Sequence, residues 1–160
     1  MTEALMTLDA VREALPDNAG LLALRDLAVG AKFDRNELTV TVAPGNIVAA
    51  ARAVQAAGYN FFEDCTAVDW YPSEPRFQVS YHIVSTTMKQ RIRLAVLLEG
   101  DDPALDSITS VWPSSNFYER EIFDLFGIRF VGHPNLVRIM MPLDWKGHPL
   151  RKDYPVEGYR

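Results

Sequence analysis

The segment from Ser115 to Pro155, SNFYEREIFDLFGIRFVGHPNLVRIMMPLDWKGHPLRKDYP, constrains this chain more than any other stretch. It starts as an amphipathic helix and continues into a run dense in Trp, Met, His-Pro and Arg with neither helical nor strand periodicity. Pro134, Pro142, Pro149 and Pro155 stiffen the path, while Gly132 and Gly147 permit backbone conformations closed to other residues. Solvated linkers are poor in aromatic residues and rich in Ser, Gly, Glu and Lys, so this is no free tail. The expected organisation is an α+β domain over residues 1–130 and an extended tail over 131–160 that docks on a partner polypeptide.

Length and charge narrow the field further. The chain has 160 residues, 48% of them apolar, enough for one ordinary core. The longest apolar runs, IVAAARAV and LAVLL, fall far short of the ~20 residues that span a bilayer, and the N-terminus lacks a basic segment followed by an apolar one. A soluble, non-secreted protein is expected. Cys65 stands alone, which excludes an internal disulfide. Residues 1–130 hold 11 Lys and Arg against 18 Asp and Glu, whereas 131–160 hold 5 against 3. A basic arm on an acidic body argues against general nucleic-acid binding by the body.

Periodicity places the elements. Thr7 or Asp9 caps a short helix carrying Leu8, Val11 and Leu15, which Pro16 stops. ELTVTV, 37–42, alternates strictly and predicts a strand. IVAAARAVQAAG after Pro44-Gly45-Asn46 predicts a helix ended by Gly58. Strands follow near 60–70, 77–85 and 90–99, joined by YPSEPR and STTMKQ as hairpin-type loops. Alternation this clean implies antiparallel pairing with one wetter face. A helix over 117–126 carries Tyr118, Ile122, Leu125 and Phe126 in a stripe, Asn116 with Glu119 as a capping box, and Gly127 as terminator. The fold class is α+β, a two-layer arrangement of a mixed or largely antiparallel sheet with helices on one face.

Residues that bear chemistry are few. One cysteine cannot ligate an iron-sulfur cluster, and neither GxGxxG nor GxxxxGK[ST] occurs, so no cofactor is expected in this chain. His82, on the wetter face of a strand, receives no role. His133, His148 and Asp144 could in principle form a two-His-one-carboxylate metal site of a hydrolase, the alternative being that each imidazole bonds a backbone carbonyl in its Xaa-Pro turn. Glu119, Arg120, Glu121 and Asp124 read either as a solvated helix face, as partners for Arg138, Arg151 or a second chain, or as an acid-base carboxylate pair. Met140, Met141 and Trp145 are the adaptable apolar groups that interface centres favour.

The run EREIFDLFGIRFVGHPNLVRIMMPLDWKGHPLRKDYP closely resembles the signature of the 30 kDa subunit family of respiratory complex I, and FFEDCTAVDWYPSEPRFQVSYHIVS resembles the strand region of the same family. The resemblance spans about Glu37 to Pro155. It implies a peripheral-arm subunit of the proton-pumping NADH:quinone oxidoreductase that supports assembly. The implied cofactors, FMN and iron-sulfur clusters, lie in partner subunits, and the implied location is peripheral on the cytoplasmic side of a bacterial inner membrane, or the matrix side of a mitochondrial one. The tail would wind over the 49 kDa subunit that forms the quinone site, and near cluster-bearing neighbours. The implied interface residues are Glu119, Arg120, Glu121, Asp124, Gly132, His133, Pro134, Arg138, Met141, Pro142, Asp144, Trp145, Gly147, His148, Pro149, Arg151, Lys152, Asp153 and Tyr154. Phe117, Asn135 and Val137 depart from the usual Trp, Asp and Arg. Related membrane-bound hydrogenases and ferredoxin- or F420H2-dependent complexes carry similar subunits, so the electron donor stays open.

Overall fold

The protein, as a computed structural model, is described over residues 6–158. α1 (Leu8–Ala14) starts at Thr7, whose hydroxyl accepts the Ala10 N–H. α2 (Ala19–Ala23) starts at Asn18, which caps Leu21 in the same way. β1 (Ala28–Asp34) and β2 (Glu37–Val42) form a hairpin, and α3 (Ile47–Ala56) follows a short 3₁₀ turn. β3 (Phe61–Asp69), β4 (Phe77–Ser85) and β5 (Gln90–Leu98) then run antiparallel in sequence. The five strands lie in the order β1-β2-β5-β4-β3, with β2 and β5 parallel, so the sheet is mixed. β6 (Ala104–Asp106), α4 (Ser115–Phe126) and β7 (Arg129–Val131) complete the body, β6 pairing parallel with β7.

Period-two alternation sends Leu38, Val40 and Val42, Val79, Tyr81 and Ile83, and Ile92, Leu94 and Val96 to one face. There they join Ile47, Ala51 and Val54 of α3 and Ile122 and Phe126 of α4 in one core. Each large aliphatic side chain removed from water there contributes about 1.5–3 kcal/mol. The opposite sheet face is crossed by a polar ladder. Asp64, His82 and Arg93 stand opposite one another on β3, β4 and β5. His82 Nδ1 bonds Asp64, Arg93 Nε donates to His82 Nε2 at 2.7 Å, and Arg93 reaches Glu37 at 2.8 Å. His82 is thus a member of a charged cross-strand network.

Periodicity gave no sign of β1, α2, β6 or β7. β1 reads AVGAKFD, with a glycine inside and a bulge between Ala28 and Gly30. It pairs because β2 offers an open edge, which local propensity does not encode. The other three have five residues or fewer, too short for a periodic signal. The capping box of α4 is also corrected. The helix begins at Ser115 with no side-chain cap, Asn116 Oδ1 is buried without a hydrogen-bond partner, and Glu119 turns inward.

Candidate functional site

After β7 the chain runs from Gly132 to Gly158 with neither helix nor strand among the described residues. This strap is tied to its own body, and α4 supplies most of the attachment. A helix leaves its last carbonyls without internal partners, and here the strap serves them. His148 Nδ1–H donates to the Asp124 carbonyl at 2.9 Å, Leu150 N–H to Leu125 at 3.0 Å, and Arg151 Nε–H to Phe126 at 2.6 Å. Gly127 permits the passage. Its φ is +74°, and a Cβ there would stand 2.5 Å from His148 and 2.7 Å from Arg151.

Asp124 is the central anchor. Its Oδ2 accepts three consecutive strap amides, Ile139 at 2.9 Å, Met140 at 2.7 Å and Met141 at 2.9 Å. Its Oδ1 takes Arg138 Nη1 at 2.7 Å, and Arg138 Nη2 donates to the Gly147 carbonyl at 3.0 Å. Burial alone would push this carboxyl up. The amides and Arg138 outweigh it, and the net shift is downward. One turn earlier, Arg120 donates to the carbonyls of Val137 and Arg138 at 3.0 and 3.2 Å. Strap arginine, rather than solvent, therefore faces Asp124, and Arg120 holds strap backbone.

Glu119 does different work. With no exposed surface, it accepts from Ser107 Oγ at 2.6 Å, Ile108 N–H at 2.9 Å and Ser115 Oγ at 3.2 Å, tying the loop after β6 to the helix. Burial raises its pKa, against the pull of those donors. Neither Glu119 nor Asp124 is solvated, which corrects that reading for both, and both are saturated by donors rather than poised as an acid-base pair. Glu121 is exposed.

A second anchor lies at the far end of the strap. Arg76, 2% exposed, forks onto Asp69 with Nε and Nη2 each at 3.0 Å, and bonds Asp101 and, at 2.7 Å, Asp153 of the strap. Its guanidinium lies 4.9 Å from the Tyr71 ring centre and 4.8 Å from that of Phe77, with Arg151 5.2 Å from Phe77. Asp69 Oδ2 also accepts the Lys152 amide at 2.9 Å. Sequence reasoning missed Arg76, Asp69 and Asp101, since an arginine in a proline-flanked loop reads as a solvated turn. The bidentate carboxylate fork of this region lies on Arg76. Arg151 binds two backbone carbonyls, of Phe126 and Asp101.

The histidines take the carbonyl-bonding alternative. His133 Nε2 lies 3.2 Å from the Asn116 carbonyl and its Nδ1 accepts the Asn135 amide at 3.0 Å. It meets α4 eight residues before the Asp124 carbonyl that His148 takes, about 12 Å along the axis. Asp144 is exposed, and no three His, Cys, Asp or Glu side chains converge on a metal-sized site among the described residues. Lys152 and Tyr154 join the strap's own turns, Tyr154 N–H donating to Arg151.

With polar groups turned inward, the strap turns apolar ones out. Leu143 is 79% exposed, Met140 64% and Trp145 40%, and Leu150 and Val156 are also exposed. Pro134 and Pro142 are exposed beside them, Met141 is half-buried, and Gly132 and Gly147 turn the chain at φ +78° and +77°.

Acid should loosen this attachment in two stages. Burial pushes His148 down, so its protonation opposes docking as pH falls through the ordinary histidine range near 6.5. Asp69, Asp124 and Asp153 all sit below their ordinary 3.8. Their contribution is present above that value and is lost as pH falls through the depressed ones. Hydrogen exchange at the amides of Met140, Met141 and Lys152 should therefore accelerate relative to β4 amides, first below pH 6.5 and again below about 3.8. A pH-independent ratio would rule out these anchors.

What the fold and site define is a small α+β domain carrying an irregular strap, fastened by buried ion pairs with its apolar side bare. Residues 40–160 match the family described as respiratory-chain NADH dehydrogenase, 30 Kd subunit, and the chain belongs to that family. It is 46% identical over 148 residues to the corresponding NADH-quinone oxidoreductase subunit of Roseiflexus sp. (strain RS-1), covering 88% of this chain and 85% of that one. Against the corresponding subunit of Citrifermentans bemidjiense it is 45% identical over 147 residues, covering 89% and 91%. Among solved structures, the trypsin-resistant fragment (1-134) of Nqo5 superposes with a TM-score of 0.59 at 35% identity, covering 62% of this chain and 83% of that one. A chain of the membrane-bound sulfane sulfur reductase, an archaeal respiratory membrane complex, shares the fold at TM-score 0.68 and 22% identity, over 92% of this chain and 85% of that one. No helix among the described residues is long and apolar enough to cross a membrane.

Proposed function

We propose that this chain is a non-catalytic subunit of a proton-translocating NADH:quinone oxidoreductase, and that its strap is the surface on which neighbouring subunits assemble. The observation that carries this reading is the bare apolar side of the strap, with Met140, Leu143 and Trp145 exposed on a segment tied down at the Met140 amide by Asp124 and at the Gly147 carbonyl by Arg138. A strap already ordered loses less conformational entropy on binding than a free tail. FMN and iron-sulfur clusters belong to partner subunits, and the 49 kDa subunit is the nearest neighbour on this reading. The complex sits with this arm on the cytoplasmic side. The names of the relatives at 45–46% identity favour NADH and quinone over the hydrogenase and ferredoxin alternatives.

The test is a tagged chain with Met140→Ser, Leu143→Ser and Trp145→Ala, expressed beside the remaining subunits. Each apolar anchor should cost assembly about 2 kcal/mol, so the triple variant captures few or no partners. Because these side chains are exposed, unfolding of the isolated chain should shift by less than about 0.5 kcal/mol per site. Undiminished capture would refute the assignment, and so would NADH oxidation by the purified chain alone.

A further inference from the structure

At the opposite end of β4 from Arg76, about 30 Å away, the β1–β2 turn, the β4–β5 hairpin and the linker between α1 and α2 enclose a cleft of about 480 Å³. Its walls carry Arg35, Asn36, Lys89, Gln90 and Arg91, and its floor carries Leu15, Phe33 and Leu38. We propose that this cleft binds a small phosphorylated ligand, its phosphate on the cationic rim and an apolar ring or chain on the floor.

Charge supplies the first argument. The chain is net −5, yet cations from two different turns converge here. Their neighbours are already neutralised. Lys32 pairs with Asp34 at 3.3 Å, Arg91 with Glu63 at 3.0 Å and Arg93 with Glu37 at 2.8 Å. Arg35 and Lys89 have no acidic partner among the described residues, and Glu37, the one carboxylate in the cleft wall, pairs with Arg93 at 2.8 Å and with Arg91 at 3.9 Å. An uncompensated guanidinium and ammonium at one mouth suit a doubly charged oxyanion.

Backbone supplies the second. Arg35 (φ 51°), Asn36 (φ 65°) and Lys89 (φ 53°) are the residues other than glycine with left-handed backbone among those described, and all three line this cleft. Glycine would take these positions with less strain, and Arg and Lys there put charge where the turns meet. Gln90 adds to the donor excess. Its Oε1 accepts the Tyr59 hydroxyl at 3.1 Å, which commits the acceptor end and leaves the amide N–H groups to donate. The site owes nothing to the strap, and its residues before 40 lie outside the family match.

A soluble phosphoester and a phospholipid headgroup share this chemistry, so the experiment uses both. The ¹⁵N-labelled full chain is titrated at low salt with phenyl phosphate, and separately with phosphatidylcholine vesicles containing phosphatidylglycerol. Phenyl phosphate should move the amides of Arg35, Asn36 and Lys89 saturably and leave those of Met140 and Met141 in place. The double variant Arg35→Gln with Lys89→Gln should bind about tenfold more weakly or worse. Unchanged strap amide shifts in that variant show that it folds. Saturable perturbation by the vesicles alone, lost in the variant, supports the site with a lipid headgroup as its ligand. No perturbation by either probe, or a variant that binds like the parent, overturns the proposal.

Discussion

Replacing Asp124 by alanine should detach the strap while leaving the sheet folded. The variant strips one oxygen of three amide partners, leaves Arg138 without its carboxylate, and removes the group that fixes the turn at residues 138–141. Breaking a buried, hydrogen-bonded ion pair from one side costs about 3–5 kcal/mol. The loss falls on strap docking, because every partner of the Asp124 carboxylate lies in the strap, while Ile122 and Phe126 keep α4 packed in the core. Exchange protection at Met140 and Met141 should drop by two orders of magnitude or more, on the order of that energy. The β4 and β5 amides should keep theirs. Asn at the same position keeps one acceptor oxygen and should lie between the two. Wild-type protection of the strap in Asp124→Ala would mean that apolar packing, not this carboxylate, holds it.

Arg76→Ala should damage the body rather than the strap alone. The Asp69 side chain has no exposed surface, and its partners are Arg76, the Tyr71 amide and the Lys152 amide. Without the guanidinium an unneutralised carboxylate stays buried between β3 and the loop that enters β4. The expected cost is about 3–5 kcal/mol in chemical denaturation, with cooperativity retained. The Asp153 tie is lost in the same substitution. Replacing both partners, Arg76→Met with Asp69→Leu, removes the uncompensated charge and should recover most of the stability, though not the Lys152 and Asp153 contacts. A single Arg76→Ala with unchanged stability would show that this cluster is solvated in solution.

These two anchors explain how a tail of such composition stays in register. Its apolar side chains exceed what a small body can cover, which by itself points to a foreign roof. The same composition does not reveal that the strap's backbone and cations have a use on the body itself. They complete the carbonyl end of α4, and Arg138 neutralises the buried Asp124 carboxylate. Only the apolar half is left over.

The legible part of this chain is whatever repeats with a short period or ends on a marked residue. β2, β4 and β5 alternate cleanly, α3 and α4 carry apolar stripes, and Gly127 ends α4 at φ +74°. Pairing partners are not local. The parallel match of β2 with β5 and the addition of β1 depend on which edges the rest of the sheet leaves open. The site divides the same way. Asp124, Arg138 and His148 stand in a recognisable motif, and the pairing of Asp124 with Arg138 was among the alternatives that the charge pattern offered. Arg76 lies 77 residues from Asp153, and no spacing rule connects them. Glu119 looked like a surface carboxylate because its donors, Ser107 and Ile108, come from a loop without any pattern of its own.

The central claim is that the strap is fastened by its polar side and reserved for partners on its apolar side. Oxidative footprinting of Met140 and Trp145, in the purified chain and in the intact membrane complex, tests both halves in one comparison. In the purified chain the two side chains should react readily while the Met140 and Met141 amides remain protected from exchange. In the complex both side chains should become unreactive. Equal reactivity in the two states, or strap amides unprotected in the isolated chain, would contradict the account.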